Sequence, residues 1–227
     1  DSGGQAGHTA LIDWPVKERD GYVESYYDVI LNSEFVGMYR YMSKICEILN
    51  KKEEATKYQL KAEKLKKTLI DIAYDKSNGC FFDSISKDLQ PTRHSSTHST
   101  AYSLAYEIFD SKEMSESMCR FVYEKCKEEF KGSVYVTYFI LKCLFVGNRG
   151  DLAIKLMSNP KVGKDFKTFV SLLIDLKCTI TPEAWVHKHK ENLTLSHPWG
   201  ASSGCSIVQG MFDILPLKSG FDLFSIK

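Results

Sequence analysis

The sequence predicts an all-α chain of antiparallel helical hairpins. Apolar residues recur at spacings of three and four in at least six segments, the pattern of amphipathic helices. Short polar stretches separate these segments, so neighbouring helices are expected to run antiparallel. Strand signals are confined to Asn78-Gly79 and to the residues after Gly220. We therefore expect only minor β-structure.

The first hairpin is predicted between residues 32 and 72. Asn32 or Ser33 can cap its first helix, whose apolar residues repeat regularly: Phe35, Met38, Met42, Ile45 and Leu49. After a polar break, the second helix shows the same spacing at Ala55, Tyr58, Ala62, Leu65, Leu69 and Ile72. Lys and Glu residues fill the positions between them and predict its solvent-exposed face. Asn78-Gly79 then predicts a small β-hairpin.

Further helix pairs follow along the chain. The segments are about 97–109 with 113–130, 134–146 with 151–158, and a less regular pair at 164–176 and 199–213. These pairs recur at roughly 45 to 60 residues without a sequence repeat. Such spacing suits a helical solenoid or a closed helical toroid.

Composition indicates an ordinary globular protein. The 227 residues are 43% hydrophobic and 26% charged, and the net charge of +1 indicates no nucleic-acid or membrane partner. No apolar run approaches the roughly 20 residues that span a bilayer. The seven cysteines contain no C-x-x-C pair, and most lie in apolar stretches. They are expected to be free buried thiols, which favours a reducing compartment and gives no zinc site.

Two segments contain candidate functional residues, and one of them lies near the C-terminus. It places Glu183 two residues before Trp185, and after a polar loop it continues with His197 and Trp199. Burial beside an indole raises the pKa of a carboxyl group. Aromatic faces together with a few polar groups are what a sugar site needs. An ordinary helical corner with core tryptophans is the alternative.

The other segment covers residues 13–22 and brings Asp13, Trp14 and Arg19 together. Pro15 and Gly21 argue against regular structure, so these residues are expected on a loop that carries chemistry or on a surface turn. His94 and His98 would share a face if their segment were helical. No third metal ligand is evident, and histidines of the core or of a helix start are the favoured interpretation.

Both segments resemble bacterial α-L-rhamnosidases, glycoside hydrolase family 78. The likeness lies in T-x-E-A-W at 181–185, in S-H-x-W-G-A-S at 196–202, and in D-W-P followed by R-D-G-Y at 13–22. It covers roughly residues 11 to 227. The resemblance implies the C-terminal part of a six-hairpin (α/α)6 toroid, with about two hairpins missing upstream. Residues 1–216 would be the partial toroid, and residues 217–227 would be the first strand of a following β-sandwich domain.

The resemblance also implies inverting hydrolysis of terminal α-L-rhamnosyl residues in a rhamnose-containing oligosaccharide or glycoside. Glu183 would be the general base, which deprotonates the attacking water. Such a reaction needs no metal and no organic cofactor. The expected substrate-binding residues are Asp13, Trp14, Arg19, Trp185, His197 and Trp199. Trp14 would pack on the apolar face of the deoxysugar, while Asp13 and Arg19 would hydrogen-bond its hydroxyls.

The general acid is missing from this assignment. In the family it belongs to a motif of the type D-x-P-x-R-x-E-R-x-G-W, which residues 13–22 match only with a deletion and two exchanges. Glu18 is the residue that would take the role, and otherwise the acid lies upstream of this chain. Two other functions stay open: a non-catalytic carbohydrate-binding remnant and a helical-repeat interaction module. A module of that kind would spread its aromatic residues over the repeats, whereas all three tryptophans lie in the two motifs.

Overall fold

The computed structural model describes residues 11–163, 165–186 and 192–226. Eight α-helices dominate this part of the chain, as the sequence predicts. They are α1 Val29–Ile48, α2 Lys52–Ala73, α3 Thr97–Ala105, α4 Lys112–Cys126, α5 Thr137–Val146, α6 Gly150–Met157, α7 Phe169–Ile174 and α8 Ser202–Cys205. Turns of 3-10 helix cover Val16–Glu18, Pro198–Ala201 and Ser219–Phe221, and a π-helix covers Ser206–Met211. None of the helices in the described ranges is long and apolar enough to cross a membrane.

The helices pack as successive hairpins. Helices α1 and α2 form the most extensive pair, α3 packs on α4, and α5 packs on α6. Helix α3 also contacts α1 and α5, and α5 continues the row against α8 and the π-helix. Every residue of α3 is buried, as expected for a helix with neighbours on all sides. Helices α1, α3, α5 and the C-terminal helical segment therefore stand side by side, and α2, α4 and α6 lie behind them.

Helix α1 differs from the sequence prediction in its start and in its buried face. It begins at Val29, and the Ser33 hydroxyl donates to the Val29 carbonyl instead of capping the helix. Its buried residues are Val29, Ile30, Ser33, Val36, Gly37, Ser43 and Cys46. The predicted apolar stripe lies largely outside the core, with exposed fractions of 44% at Phe35, 47% at Ile45 and 58% at Leu49. The helical period was therefore predicted correctly, but the face that is buried was not.

Gly37 explains which face of α1 is buried. A Cβ atom at this position would lie 2.5 Å from the Tyr106 ring, so only glycine allows α1 to approach the end of α3 so closely. The Ser33 and Ser103 hydroxyls, 3.1 Å apart, hold the two helices together one turn earlier. Close approach to α3 thus decides the orientation of α1, and the larger apolar residues remain on its other side.

Three two-stranded antiparallel pairs complete the fold. The hairpin predicted at Asn78-Gly79 is formed by β2 Tyr74–Asp75 and β3 Cys80–Phe81, with Gly79 at a φ of +68°. A second pair, β1 Tyr27–Asp28 with β4 Ser84–Ile85, was not predicted. The third pair joins β5 Leu215–Pro216 to β6 Phe224–Ser225. It contains the strand expected after Gly220, and it spans the domain boundary expected after residue 216.

The N-terminal ends of α1, α3 and α5 lie at the same end of the bundle. Asp83 connects the first two helices, because its carbonyl accepts from Val29 N at 3.0 Å and its carboxylate accepts from Ser96 N at 2.7 Å. Ser96 caps α3 by accepting from Ser99 N. Asp13 connects the start of α3 to the segment before α5. The loops at this end carry both sequence motifs.

Candidate active site

Asp13 is buried behind the loop that carries it. Only 1% of the residue is exposed, and its carboxylate accepts from His98 Nε2 at 2.9 Å and from Ser133 N at 2.8 Å. The Ser133 hydroxyl donates to the other carboxylate oxygen. Both oxygens therefore hold the loop to α3 and to the segment before α5. We expected Asp13 to bind a sugar hydroxyl, but its carboxylate faces the protein interior.

Arg19 also forms its contacts within its own loop. Its Nε donates to the Asp13 carbonyl at 3.0 Å, and its Nη1 forms an ion pair with Glu24. Asp20, next in the chain, accepts from both the backbone N–H and the hydroxyl of Thr97, at 2.8 and 2.9 Å. The Arg19 residue is 8% exposed. Arg19 therefore stabilises the loop from within, and the surface of the loop is formed by other residues.

Trp14 is the aromatic residue of residues 13–20 and reaches the surface, with 46% of its area exposed. Its backbone N–H donates to the Asp13 carboxylate at 2.8 Å. The carboxylate that holds the loop thereby also fixes the backbone from which the indole projects. The role expected for Trp14, packing against an apolar face of a sugar, stays a prediction.

Glu18 lies below the surface of the same loop. It is 2% exposed, and the Lys167 ammonium group donates to its carboxylate. Burial raises the pKa of Glu18 above its ordinary value of 4.5, while the hydrogen bond and the charge of Lys167 oppose that shift. A raised pKa would suit a general acid, but this carboxyl group faces Lys167 and the protein interior.

The C-terminal motif is held together around Glu183. The backbone N–H of Glu183 donates to the Thr194 carbonyl at 3.0 Å, and Thr194 N donates back to the Glu183 carboxylate at 3.1 Å. His197 Nδ1 lies 4.0 Å from that carboxylate. The indole N–H of Trp199 donates to the Glu183 carbonyl at 3.1 Å. The motif residues that are 14 and 16 positions apart in sequence, namely Glu183, His197 and Trp199, are therefore adjacent.

Trp185 belongs to the core. It is 1% exposed, its ring stacks on Phe130 with centroids 5.5 Å apart, and its indole N–H donates to the Gly132 carbonyl at 2.8 Å. This position matches the ordinary-core alternative for this residue. Trp185 still matters for the site, because it anchors the segment that carries Glu183 against residues 130–132.

The segment 130–135 brings the two motifs together. Ser133 binds Asp13, and the adjacent Gly132 binds Trp185. Tyr135 then lies against Trp199, with ring centroids 5.3 Å apart. The N-terminal and C-terminal motifs thus both contact one short segment at the same end of the bundle. This arrangement is what the resemblance requires of residues so distant in sequence.

A row of partly exposed aromatic rings runs along this end. His197 and Trp199 have ring centroids 4.4 Å apart, and Tyr135 extends the row beyond Trp199. Tyr135 is half-buried, whereas the flanking residues 132–134 and 136–137 are buried. Sequence reasoning missed Tyr135, because it lies at the start of the segment 134–146 that was predicted as a helix and belongs to neither motif. We call Tyr135, His197 and Trp199 the aromatic row.

The two histidines near α3 have different environments. His94 precedes the helix, so it does not share a helical face with His98, and its Nδ1 lies 2.5 Å from the buried Asp83 carboxylate. His98 is fully buried against Asp13. No group of three or more potential ligands able to hold a metal occurs in the part of the chain that the structure describes.

Comparison with known proteins identifies the family. Residues 1–205 match the family model for the bacterial alpha-L-rhamnosidase six-hairpin glycosidase domain. The chain belongs to this family. It is a rhamnosidase-like glycoside hydrolase domain, and the helical hairpins described above are part of the six-hairpin fold. A comparison with curated proteins gives no significant match.

Two solved rhamnosidase structures share the fold. The native α-L-rhamnosidase of Aspergillus terreus superposes with a TM-score of 0.71 at 16% identity, over 96% of this chain and 24% of that one. The α-L-rhamnosidase of Streptomyces avermitilis, solved in complex with L-rhamnose, gives 0.64 at 16% identity, over 97% of this chain and 21% of that one. The chain therefore spans less than a quarter of the length of either rhamnosidase.

Proposed function

We propose that this chain contributes the general base, Glu183, to the active site of an inverting α-L-rhamnosidase. The observation that carries the proposal is the position of the Glu183 carboxylate, 4.0 Å from His197 Nδ1 and beside the aromatic row, in a chain of the rhamnosidase family. In this mechanism Glu183 deprotonates a water molecule that attacks the anomeric carbon from the face opposite the leaving group. The related Streptomyces enzyme in complex with L-rhamnose supports a terminal rhamnosyl residue as the substrate.

Sugar binding is proposed for the exposed aromatic residues. Trp14 and Trp199 offer apolar faces to the C–H groups and the methyl group of a deoxysugar, and His197 offers a ring nitrogen to a hydroxyl. Asp13, Arg19 and Trp185 do not contact the sugar in this proposal, because their polar groups form hydrogen bonds within the protein. These residues hold the two motifs in position, and the exposed rings contact the sugar.

We further propose that the general acid comes from polypeptide outside these residues. Glu18 is buried against Lys167, so a glycosidic oxygen does not reach its carboxyl group without a rearrangement of the loop. The exposed apolar side of α1 supports the proposal that further hairpins pack there, since a helical hairpin cannot bury its apolar faces alone. On this proposal residues 1–216 are part of a six-hairpin toroid, and residues 217–227 begin a following β-domain.

The base assignment is tested by Glu183→Gln in the natural polypeptide that carries these residues. The amide preserves the shape but cannot take a proton, so turnover of a rhamnoside should fall by about 10² to 10⁴-fold with sugar affinity nearly unchanged. Glu107→Gln is the matched control, since Glu107 is an exposed residue that pairs with Arg40. An equal loss of affinity and turnover would assign Glu183 a structural role. The anomer released first, observed by proton NMR, tests inversion.

The activity of residues 1–227 alone tests whether the general acid lies within this chain or outside it. An aryl rhamnoside with a good leaving group needs little protonation, so its hydrolysis should survive better than that of a natural rhamnoside. Efficient cleavage of a natural rhamnoside by this chain alone would overturn the proposal and assign Glu18 as the acid.

A second function, non-catalytic carbohydrate binding, is favoured by the aromatic row together with the burial of Glu18. Titration of L-rhamnose, followed by tryptophan fluorescence, tests for binding. Binding without hydrolysis of any rhamnoside by the natural polypeptide would support this second function over the first.

A further inference from the structure

A cavity of about 660 Å³ lies between α1, the end of α3, α5 and the π-helix. None of its lining residues belongs to the motifs at 13–22 and 181–202. It lies toward the C-terminal ends of α1 and α3, whereas the motifs lie near the N-terminal ends of these helices. Its volume is within the range of pockets that bind small molecules. The cavity is therefore a candidate ligand site that is separate from the candidate active site.

Two glycines shape the walls of this cavity. Gly37 brings α1 against the Tyr106 ring, and a Cβ atom at Gly210 would overlap the Phe145 ring. All four residues line the cavity. Part of the wall belongs to the π-helix Ser206–Met211, a rare type of helix that occurs frequently at functional sites. The cavity is thus formed by close packing of α1 and the π-helix on their neighbours.

Lys142 contributes an ammonium group to the cavity. Its Nζ lies 5.0 Å from the centroid of the Tyr106 ring and 5.9 Å from that of Tyr138, and both rings line the cavity. Among the residues that the structure describes, none forms a hydrogen bond or an ion pair with this half-buried ammonium group. Burial lowers the pKa of Lys142 below its ordinary value of 10.5, although the charge of Glu107 opposes the shift. A bound anion would stabilise the charged form.

The carboxylates of the cavity leave two ammonium groups unpaired. Glu107 lies 3.5 Å from Arg40, so these two charges offset each other. Asp213 is the other acidic residue of the lining. Over the described ranges of the chain, neither carboxylate forms an ion pair with Lys142 or with the exposed Lys44, which also lines the cavity. Both lysines are therefore available to a negatively charged ligand.

Ser206 supplies a hydrogen-bond donor to the same wall. The residue lines the cavity, is 4% exposed, and its hydroxyl has no hydrogen-bond partner within the described part of the protein. Buried hydroxyls are usually hydrogen-bonded, because desolvation without a partner costs free energy. The Gln209 amide lines the cavity three residues further along the π-helix. A ligand with several acceptor oxygens would satisfy these donors.

We propose that this cavity binds the phosphate group of a small phosphorylated molecule through the ammonium groups of Lys44 and Lys142 and the hydroxyl of Ser206. A phosphate monoester carries a charge of about −1.5 to −2 at pH 7 and three acceptor oxygens, so it matches two ammonium groups and a hydroxyl donor. A carboxylate carries a single charge and would leave one ammonium group unpaired. The rings of Tyr41 and Tyr138, which also line the cavity, are available to the rest of the ligand. This inference does not depend on the proposed rhamnosidase function.

The test measures binding by calorimetry in the natural polypeptide that carries these residues. The ligands are inorganic phosphate, glycerol phosphate and adenosine monophosphate, with acetate, glycerol and adenosine as counterparts without phosphate. The phosphorylated compounds should bind, and their counterparts should bind at least about 10-fold more weakly, because the charge-assisted hydrogen bonds are missing or fewer. A preference for glycerol phosphate or for adenosine monophosphate identifies the rest of the ligand.

The variants are Lys142→Met and Ser206→Ala, with Lys61→Met as the matched control. The Lys61 ammonium group also lies over two tyrosine rings, with centroids 5.5 and 5.6 Å away, but Lys61 is outside the cavity. Lys142→Met should weaken phosphate binding about 10 to 100-fold and Ser206→Ala about 3 to 10-fold, while the control changes it less than about 2-fold. Ser206→Ala should not lower the unfolding free energy, because the hydroxyl has no partner within the protein.

Three results would overturn the inference. They are the absence of binding of all three phosphorylated compounds at millimolar concentration, equal affinities for acetate and inorganic phosphate, and equal effects of Lys142→Met and Lys61→Met. Saturating L-rhamnose should leave phosphate affinity unchanged, and competition between the two would place the phosphate in the active site and also contradict the inference. If L-rhamnose does not bind but the phosphate results are as expected, the proposed function fails and this inference stands.

Discussion

Gly200 is a position of close packing within the candidate active site. A Cβ atom there would lie 2.8 Å from Thr181 Cβ, 2.9 Å from the Pro182 carbonyl oxygen and 3.2 Å from Val134 Cγ1. Gly200 lies outside the left-handed region, so alanine would meet no backbone strain there. Gly200→Ala is therefore expected to destabilise the folded state through steric clashes. One of them is with the Pro182 carbonyl oxygen, a backbone atom that no side-chain rotation can move.

The expected cost is about 1 to 3 kcal/mol of unfolding free energy, the usual range for an extra methyl group in a packed region. The clash also separates two parts of the site. His197 N donates to the Thr181 carbonyl at 2.8 Å, and Thr181 Oγ1 donates back to the His197 carbonyl at 3.0 Å. When the turn at Gly200 moves outward, the rings of His197 and Trp199 move away from Glu183. Rhamnoside turnover should fall together with stability.

Gly204→Ala is the matched control, only one helical turn away. A Cβ atom at Gly204 would have no atom within 4 Å, and the residue lies in α8. Alanine there should be neutral or should stabilise the protein by up to about 1 kcal/mol, because glycine is the poorer helix former. The assay is urea unfolding followed by the fluorescence of the tryptophans, with turnover measured in parallel. If Gly200→Ala is no more destabilising than Gly204→Ala, the close packing of this turn on Thr181 and Pro182 is refuted.

Three further predictions follow from buried and exposed groups. Asp13→Ala should lower the unfolding free energy by about 3 kcal/mol or more, because the donors of His98 and Ser133 lose their acceptor inside the core. A decrease of less than about 1 kcal/mol, measured by urea unfolding, would contradict this prediction. Lys167→Met should raise the already elevated pKa of Glu18 further, since the opposing hydrogen bond and charge disappear, and a carbon-NMR titration that shows a lower pKa would count against it. Because that pKa is raised on folding, the stability contributed by Glu18 is present below 4.5 and is lost as pH rises through the folded-state pKa. Cys205 should react first with a thiol reagent, since five of the other cysteines are buried and Cys178 is only partly exposed; an unchanged fast phase in Cys205→Ser would refute the assignment.

Several features of the fold could be predicted from local sequence. The helices of all four expected pairs are present, with ends within a few residues of the predicted ones for most of them, because their apolar period is strong. The hairpin at Asn78-Gly79 is present because this dipeptide favours a tight turn, and Gly79 adopts the positive φ that the turn requires. The two motifs identified the end of the bundle where Glu183, His197 and Trp199 meet.

The sequence was less informative about which side chains face outward. Asp13, Arg19 and Trp185 were expected to contact sugar, but hydrogen bonds and packing turn them into the protein. Polar and aromatic residues of a motif are compatible with either direction, and the loop backbone decides between them. Tyr135 was missed for a different reason, because a tyrosine at the start of a predicted apolar helix has no distinctive local pattern.

The sequence by itself determined the helical period, the hairpin order and the two motifs, because these depend on residues close together in the chain. Only the tertiary structure decided which side of α1 is buried, since the close approach of Gly37 to the Tyr106 ring is a contact between distant residues. The pairing of β1 with β4 and the contact of Tyr135 with Trp199 have the same origin. Neighbours across the fold determine whether a polar side chain finds a partner inside the protein, and for that reason the inward position of Asp13 could not be predicted before its surroundings were known.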